Sequence, residues 1–381
     1  MKNLVVGIYA HPEAYPPTLN ALNELSDCFA EIGVVGRPSL KSSWKYPPNV
    51  TIFVKGKQVS DLQQQQASLP LKIFYFIRYT WLFFKMIKRY KPQVILAYDS
   101  IALYSYHLLR PFITYPHHSW YHNHDVVEAA TQRKYSVGWL ALRSEKKAFR
   151  YLSVFTLPTN DRLPHFDLSG FKGKYFCVPN YPSKKIFLPY STSGDLSLSV
   201  VLIFQGSMDS THGIEEILPV MQEKVAGKEL ALKLLGKSLP GYKESIDNLS
   251  ASYQVSNKVH FEGLRPYKDI PAVSASCHIG MAIYTKQNVM STTISTASNK
   301  IYEYAAVGLP VLCFDNEYYR KHLEGYSWIF FTDCSAASYH SVIRSIVERY
   351  QELSGAARED FMNHLNFEII FRPVKDYIDA L

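Results

Sequence analysis

The chain is poor in cysteine and has no long apolar stretch, and each shortage removes a class of protein. Its five cysteines, Cys28, Cys177, Cys277, Cys313 and Cys334, are odd in number and far apart. None has another cysteine or a histidine at metal-ligand spacing, so neither a disulfide framework nor a zinc pair is expected. Most lie in or beside apolar runs, where a free thiol packs as a small hydrophobe, and a reducing compartment fits that usage. No apolar segment reaches the roughly 18 residues that a membrane-spanning helix needs. Internal repeats are absent, and low complexity is confined to residues 63–66. The opening MKNLVVGIYAHPEAYPP holds a short apolar run without a small-residue cleavage site, which reads as a first strand in an unsecreted, cytoplasmic chain.

What is present is enough for packed cores. Apolar residues make up 47% and charged residues 19%, with 28 Tyr and 21 Phe, which excludes a disordered chain. At 381 residues the chain exceeds the roughly 250 that one core usually serves, so two domains are expected. A formal net charge of +8 favours anionic partners such as nucleotide phosphates or phospholipid head groups. Nucleic acid is disfavoured, because the basic residues are dispersed and no recognised module appears.

Short β-type runs alternate with helical patterns, the rhythm of parallel sheets covered by helices. Strands are expected at 4–9, 51–54, 94–97, 112–115, 154–157 and 175–178, then at 200–204, 230–235, 259–261, 279–283, 310–314 and 329–331. Between the two sets, residues 178–195 are rich in Pro, Ser and Gly and read as a linker. The resulting division is an N-terminal Rossmann-like domain over 1–185 and a second over 198–360. A C-terminal helix over 361–381 is expected to pack back on the first domain. Open parallel sheets bind ligands at the carboxyl ends of their strands, so two such domains are expected to face each other across a cleft.

The segment Thr296-Ala-Ser-Asn-Lys-Ile-Tyr-Glu-Tyr-Ala-Ala-Val-Gly-Leu-Pro-Val-Leu reads as a helix and a buried strand. Ser298 or Asn299 can cap the helix start, Gly308 can end it, and Pro310 opens the strand. Free amides at such a start, with the positive end of the helix dipole, bind phosphate, and Lys300 adds a full charge. Glu303 lies one turn further in, where a carboxylate can accept hydrogen bonds from two vicinal ribose hydroxyls. The alternative is a solvated helix residue paired with Lys300.

KIYEYAAVGLPVL resembles the Lys-x-x-Glu-Tyr-x-x-x-Gly-x-Pro-Val signature of GT4-like, retaining glycosyltransferases of GT-B fold. Phe204-Gln-Gly-Ser followed by Gly213-Ile-Glu-Glu resembles the opening of their donor domain, and Val259-His-Phe-Glu-Gly-Leu-Arg resembles the strand and loop against the nucleotide base. The likeness covers roughly residues 198–335, and the N-terminal half only in outline. It implies transfer of a sugar, of hexosyltransferase type, from a nucleoside diphosphate sugar to a carbohydrate or lipid-linked acceptor in polysaccharide or glycoconjugate synthesis. Glu303 would hold the ribose, Gly206, Ser207, Lys237, Ser298, Asn299 and Lys300 the phosphates, and Leu264 and Arg265 the base. His118, taken to follow the strand at 112–115, would touch the donor sugar as the catalytic candidate. No cofactor or metal is required if helix amides and lysines neutralise the leaving diphosphate.

Three departures accompany that likeness. Ser207, Met208 and His212 stand where the family usually has its diphosphate-binding Arg and Lys, and Ser295 stands where many members carry a second glutamate. They keep two other readings open: a nucleotide-sugar-binding subunit without transfer activity, and a nucleotide-sugar epimerase of the same architecture. The four histidines within 117–124 can be a surface loop or a metal site. The helix expected over 71–91 mixes Phe, Tyr and Trp with Lys72, Arg78, Lys85, Lys88, Arg89 and Lys91. It suits either an ordinary sheet-covering role or a peripheral seat on the inner face of an anionic membrane.

Overall fold

A computed structural model describes residues 2–286 and 288–381. The chain divides into two compact units, one of Met1–Pro179 with Ile370–Leu381 and one of Asn180–Ile369.

The first unit is built on β1 (Asn3–Ile8), β2 (Glu31–Gly36), β3 (Val50–Val54), β4 (Val94–Tyr98), β5 (His118–His122), β6 (Val154–Leu157) and β7 (Lys174–Cys177). Their order is β3-β2-β1-β4-β5-β6-β7, and every pair is parallel. Central strands are apolar on both faces because helices cover both, as β4 (Val-Ile-Leu-Ala-Tyr, all buried) illustrates. The helix Leu69–Tyr90 buries Tyr79, Leu82, Phe83, Met86, Ile87 and Tyr90 against Val5, Val35, Ile95 and Ala97. Among the described residues no helix is long and apolar enough to cross a membrane. The last helix, Phe367–Ala380, gives this unit the Phe371 ring, 6.2 Å from Trp120, and Tyr377, 5.5 Å from Phe176. Lys375 pairs with Asp27 at 3.0 Å.

Two expectations change here. Residues 112–115 form no strand: Arg110–Phe112 is a 3-10 turn, Phe112 is exposed, and the strand of this region is β5. Pro111 and Pro116 bracket the stretch and remove the N–H donors a central strand would need. β2 was not expected at all. Its Gly33 and Gly36 dilute the β pattern, and a side chain at Gly33 would press on the Tyr90 ring at 3.1 Å.

The second unit contains β8 (Ser199–Met208), β9 (Glu229–Ser238), β10 (Val259–Gly263), β11 (Ile279–Ala282), β12 (Val311–Phe314) and β13 (Ile329–Thr332). They run parallel in the order β10-β9-β8-β11-β12-β13, so the chain reverses direction across the sheet between β8 and β11. The segment expected as a linker is packed rather than loose beyond Pro179. Phe187 is fully buried among Ile203, Leu235 and Tyr302. Arg358 donates to the carbonyls of Ala306 and Leu188, which fixes the end of the helix Asn299–Ala306 to this segment. Tyr181 adds a ring 4.4 Å from that of Tyr302.

Candidate functional site

At the reversal point of the second sheet, β8 and β11 pair only as far as Phe204 opposite Met281. β8 then leaves β11 but stays with β9 for four more rungs, to Met208 opposite Ser238. The split between β8 and β11 opens at the carboxyl ends of the strands, where such sheets bind ligands. Tyr304 closes its floor. The hydroxyl accepts the Gln205 N–H at 2.9 Å, and its own proton lies between the carbonyls of Ile203 at 3.1 Å and Met281 at 3.3 Å. Its ring lies so close on β11 that a side chain at Gly280 would meet it at 2.2 Å.

That anchoring fixes the helix Asn299–Ala306 beside the split. Ser298 is its N-cap in extended conformation and makes no side-chain capping bond, while the buried Asn299 Oδ1 has no partner. The first amides of the helix are therefore left for something other than a side-chain cap. Asn180 shapes the approach: its N–H and Nδ2 donate to the carbonyls of Thr296 at 3.1 Å and Ala297 at 2.7 Å.

Three charged or titratable groups gather here. Lys300 Nζ lies over the faces of Phe204 at 3.9 Å and Tyr284 at 4.6 Å, and 3.2 Å from the position of a side chain at Gly206. Burial pushes its pKa down to about 7, against the pull of Glu303 and Asp209. The Glu303 carboxylate accepts from the Gln205 amide, and burial pushes its pKa up to about 7, against the pull of that amide, the nearby Tyr267 and Lys300. His212 stands 4.9 Å from Phe204; burial, with Lys300 nearby, pushes it down to about 4, so it is neutral at physiological pH. Glycines make the turn: Gly206 and Gly236 are opposite each other with φ of 129° and 137°, and a side chain at Gly236 would strike the Gly206 carbonyl at 2.0 Å.

Gly206, Ser298, Asn299, Lys300 and Glu303 are thus brought together. Ser207 and Lys237 face each other on the next rung of the β8–β9 ladder, with Lys237 exposed. Leu264 and Arg265 follow β10, two strands from β8; Leu264 is exposed and Arg265 pairs at 3.2 Å with Glu262 of β10. Sequence reasoning missed Gln205, Tyr267, Tyr284 and the anchoring role of Tyr304. Only Tyr304 left a trace, as a Tyr one residue after the glutamate. The Ser295 side chain lies outside the described residues.

His118 is corrected. It opens β5, opposite Val94, at the amino edge of the first sheet and not at the carboxyl edge where ligands bind. The error follows from the strand misplaced at 112–115. Histidines at the carboxyl edge include His122, which ends β5, and His124, sandwiched between Tyr15 at 4.4 Å and Tyr98 at 4.7 Å. The His124 Nδ1 meets Asp99 at 3.1 Å and its Nε2 meets Thr18 at 3.1 Å, so both ring nitrogens are occupied in tying the loop after β5 to the helices Asp99–Leu109 and Pro16–Leu25. Among the described residues no group of three or more His, Cys, Asp or Glu is placed to hold a metal ion.

These two doubly wound units define the GT-B fold. No family's sequence profile and no curated protein sequence matches the chain. Solved structures do. A sucrose-phosphate synthase from Thermosynechococcus elongatus is similar at a TM-score of 0.70 and 13% identity, over 100% of this chain and 99% of that one. Alr3699/HepE from Anabaena, in complex with UDP and glucose, is similar at 0.66 and 14%, over 100% of both chains. A glycosyltransferase from Rickettsia africae is similar at 0.69 and 11%, over 100% and 98%. Likeness at such identity carries the fold across, and nothing finer.

Proposed function

We propose that the protein transfers a sugar, with retention, from a nucleoside diphosphate sugar to a hydroxyl acceptor in polysaccharide or glycoconjugate synthesis. The observation that carries this reading is the helix start at the reversal point, with Lys300 and Glu303 converging on the glycine turn of β8. Backbone amides at residues 299–301, Lys300 and the Gly206 turn take the diphosphate, and Lys237 can reach it from the neighbouring rung. Glu303 takes the ribose hydroxyls; of its roughly four acceptor sites, the Gln205 amide uses one. Charge developing on the departing diphosphate is met by the same lysine and amides, so this reading asks for no metal. His118 has no part in it. Similar structures were solved with UDP-glucose and with UDP-2-fluoro glucose, which supports this donor class.

The test is thermal-shift screening against UDP-, GDP-, CMP- and ADP-linked sugars, followed by transfer assays with the donor that binds. A donor that raises the melting temperature is expected among these four. No shift with any of them would overturn the reading. Binding without transfer would leave a nucleotide-sugar-binding subunit, and donor isomerisation without acceptor an epimerase.

A pH dependence follows from the two buried groups. Phosphate binding needs Lys300 charged and therefore weakens as pH rises through about 7; ribose binding needs Glu303 ionised and weakens as pH falls through about 7. The affinity for a nucleotide sugar should peak near neutrality. Calorimetry between about pH 5.5 and about pH 8.5 should show Lys300→Met flattening the alkaline limb and Glu303→Gln the acid limb. A wild-type affinity constant across that range would refute both roles.

A further inference from the structure

The helix Leu69–Tyr90 is apolar on two faces, and the fold uses only one of them. Tyr79, Phe83, Met86 and Tyr90 are buried in the core of the first unit. Phe74, Ile77 and Trp81 recur at helical spacing on the opposite side, where they are 56%, 60% and 57% exposed. A helix that only covers a sheet carries polar residues on that side. Single exposed apolar residues need no explanation, but three large ones in register on one face form a surface. Phe112 widens it, being 60% exposed with its ring 6.3 Å from that of Phe84 on the same helix.

Towards its carboxyl end the same face turns basic. Lys85 and Lys88 continue the spacing from Trp81 and Arg89 adjoins them, so Lys85 has both other cations one helical turn away, at Cβ separations of about 5–6 Å. Each leans on an uncharged neighbour. Lys85 Nζ lies 5.5 Å over the Trp81 ring, Lys88 Nζ donates to the Phe112 carbonyl at 2.9 Å, and the Arg89 guanidinium lies 5.8 Å over the Tyr90 ring. None of the three pairs with a carboxylate among the described residues, and the helix itself contains no Asp or Glu.

We propose that this face docks the first unit on a bilayer that carries anionic phospholipids. Phe74, Ile77 and Trp81 enter the boundary between head groups and acyl chains, and Lys85, Lys88 and Arg89 meet the lipid phosphates from the same helix. Trp81 stands where the apolar part meets the basic part, the place an indole takes at head-group depth. A neutral bilayer covers the rings but leaves the cations without counter-charge. A second copy of the chain covers the rings too, yet it doubles the cations and brings no acid to them. The docking goes beyond the transferase reading and does not depend on it.

The test is flotation of the full chain with vesicles of phosphatidylcholine alone, or with about one third phosphatidylglycerol, at low salt. Wild type is compared with Lys85→Gln/Lys88→Gln and with Ile77→Ser/Trp81→Ser, and melting curves confirm that each variant is folded. Wild type should bind the anionic vesicles about tenfold or more tighter than the neutral ones. The lysine pair should remove most of that preference, and the apolar pair should weaken binding to the anionic vesicles about tenfold or more. Equal binding to both vesicles, or either double variant floating like wild type, overturns the proposal. So does no flotation at all; if sedimentation then shows a dimer that Ile77→Ser/Trp81→Ser dissolves, the face belongs to a second copy. No nucleotide is present, so a failed donor site leaves these results untouched.

Discussion

Gly280→Ala is expected to cost the second unit about 3 kcal/mol of stability, the upper end of what overpacking a tight core usually costs. The position gives no outward warning, since its backbone is ordinary extended strand. Its cost comes from the neighbour: the added carbon would lie 2.2 to 2.8 Å from three atoms of the Tyr304 ring. A free ring would swing aside. This one is pinned by a hydroxyl bonded to Gln205 N–H and to the carbonyls of Ile203 in β8 and Met281 in β11, so relief requires moving the helix Asn299–Ala306 or opening the sheet. Nucleotide-sugar binding should fall with stability, because that helix supplies the amides, Lys300 and Glu303. Urea midpoints of Gly280→Ala, Tyr304→Leu and the double variant test the cause. Removing the ring leaves a buried N–H unpaired and is destabilising alone. In the double variant the two losses should be markedly less than additive, since the clash has gone. A wild-type midpoint for Gly280→Ala would show that the ring is not held as described.

The legible parts of this molecule were those written in local chemistry. Strands such as Val94–Tyr98 and Ile279–Ala282 are unbroken apolar runs, and a doubly wound sheet needs them. The helix start at 298–303 was readable because caps, charge and breakers coincide within a dozen residues. Burial was less readable. Glu303 was weighed as a solvated residue, yet it is 4% exposed, and Lys300 reaches two aromatic faces contributed by residues far away in sequence. Nothing near Glu303 announces Gln205 or Tyr267, because both arrive through sheet order and loop placement. The histidine run failed for a local reason: prolines at 111 and 116 shift the strand to begin at His118, which exchanges the two edges of the sheet for that residue.

Glu303→Gln should stabilise the protein while impairing the site, a combination that separates a binding carboxylate from a structural one. The carboxyl has a pKa near 7 in the folded chain against 4.5 for a free side chain, so the folded state holds its proton more tightly. Between those values stability falls as pH rises, and above about 7 the full cost of keeping a buried charge is present, on the order of 3 kcal/mol. Lys300 does not remove that cost: at alkaline pH it is itself largely neutral, so the region carries one charge at either extreme. Glutamine keeps an oxygen for the Gln205 amide but never ionises. At about pH 8 the variant should therefore be more stable than wild type by about 1 to 3 kcal/mol, and at about pH 4 the difference should vanish. Donor affinity should move the other way. Ribose hydroxyls lose a charged acceptor worth about 1.5 to 3 kcal/mol, which corresponds to roughly a ten- to hundredfold weaker Kd. Urea unfolding at the two pH values and titration with the donor that binds the wild type measure both arms. A variant less stable at both pH values would make Glu303 a structural carboxylate, and undiminished donor affinity would remove it from the ribose.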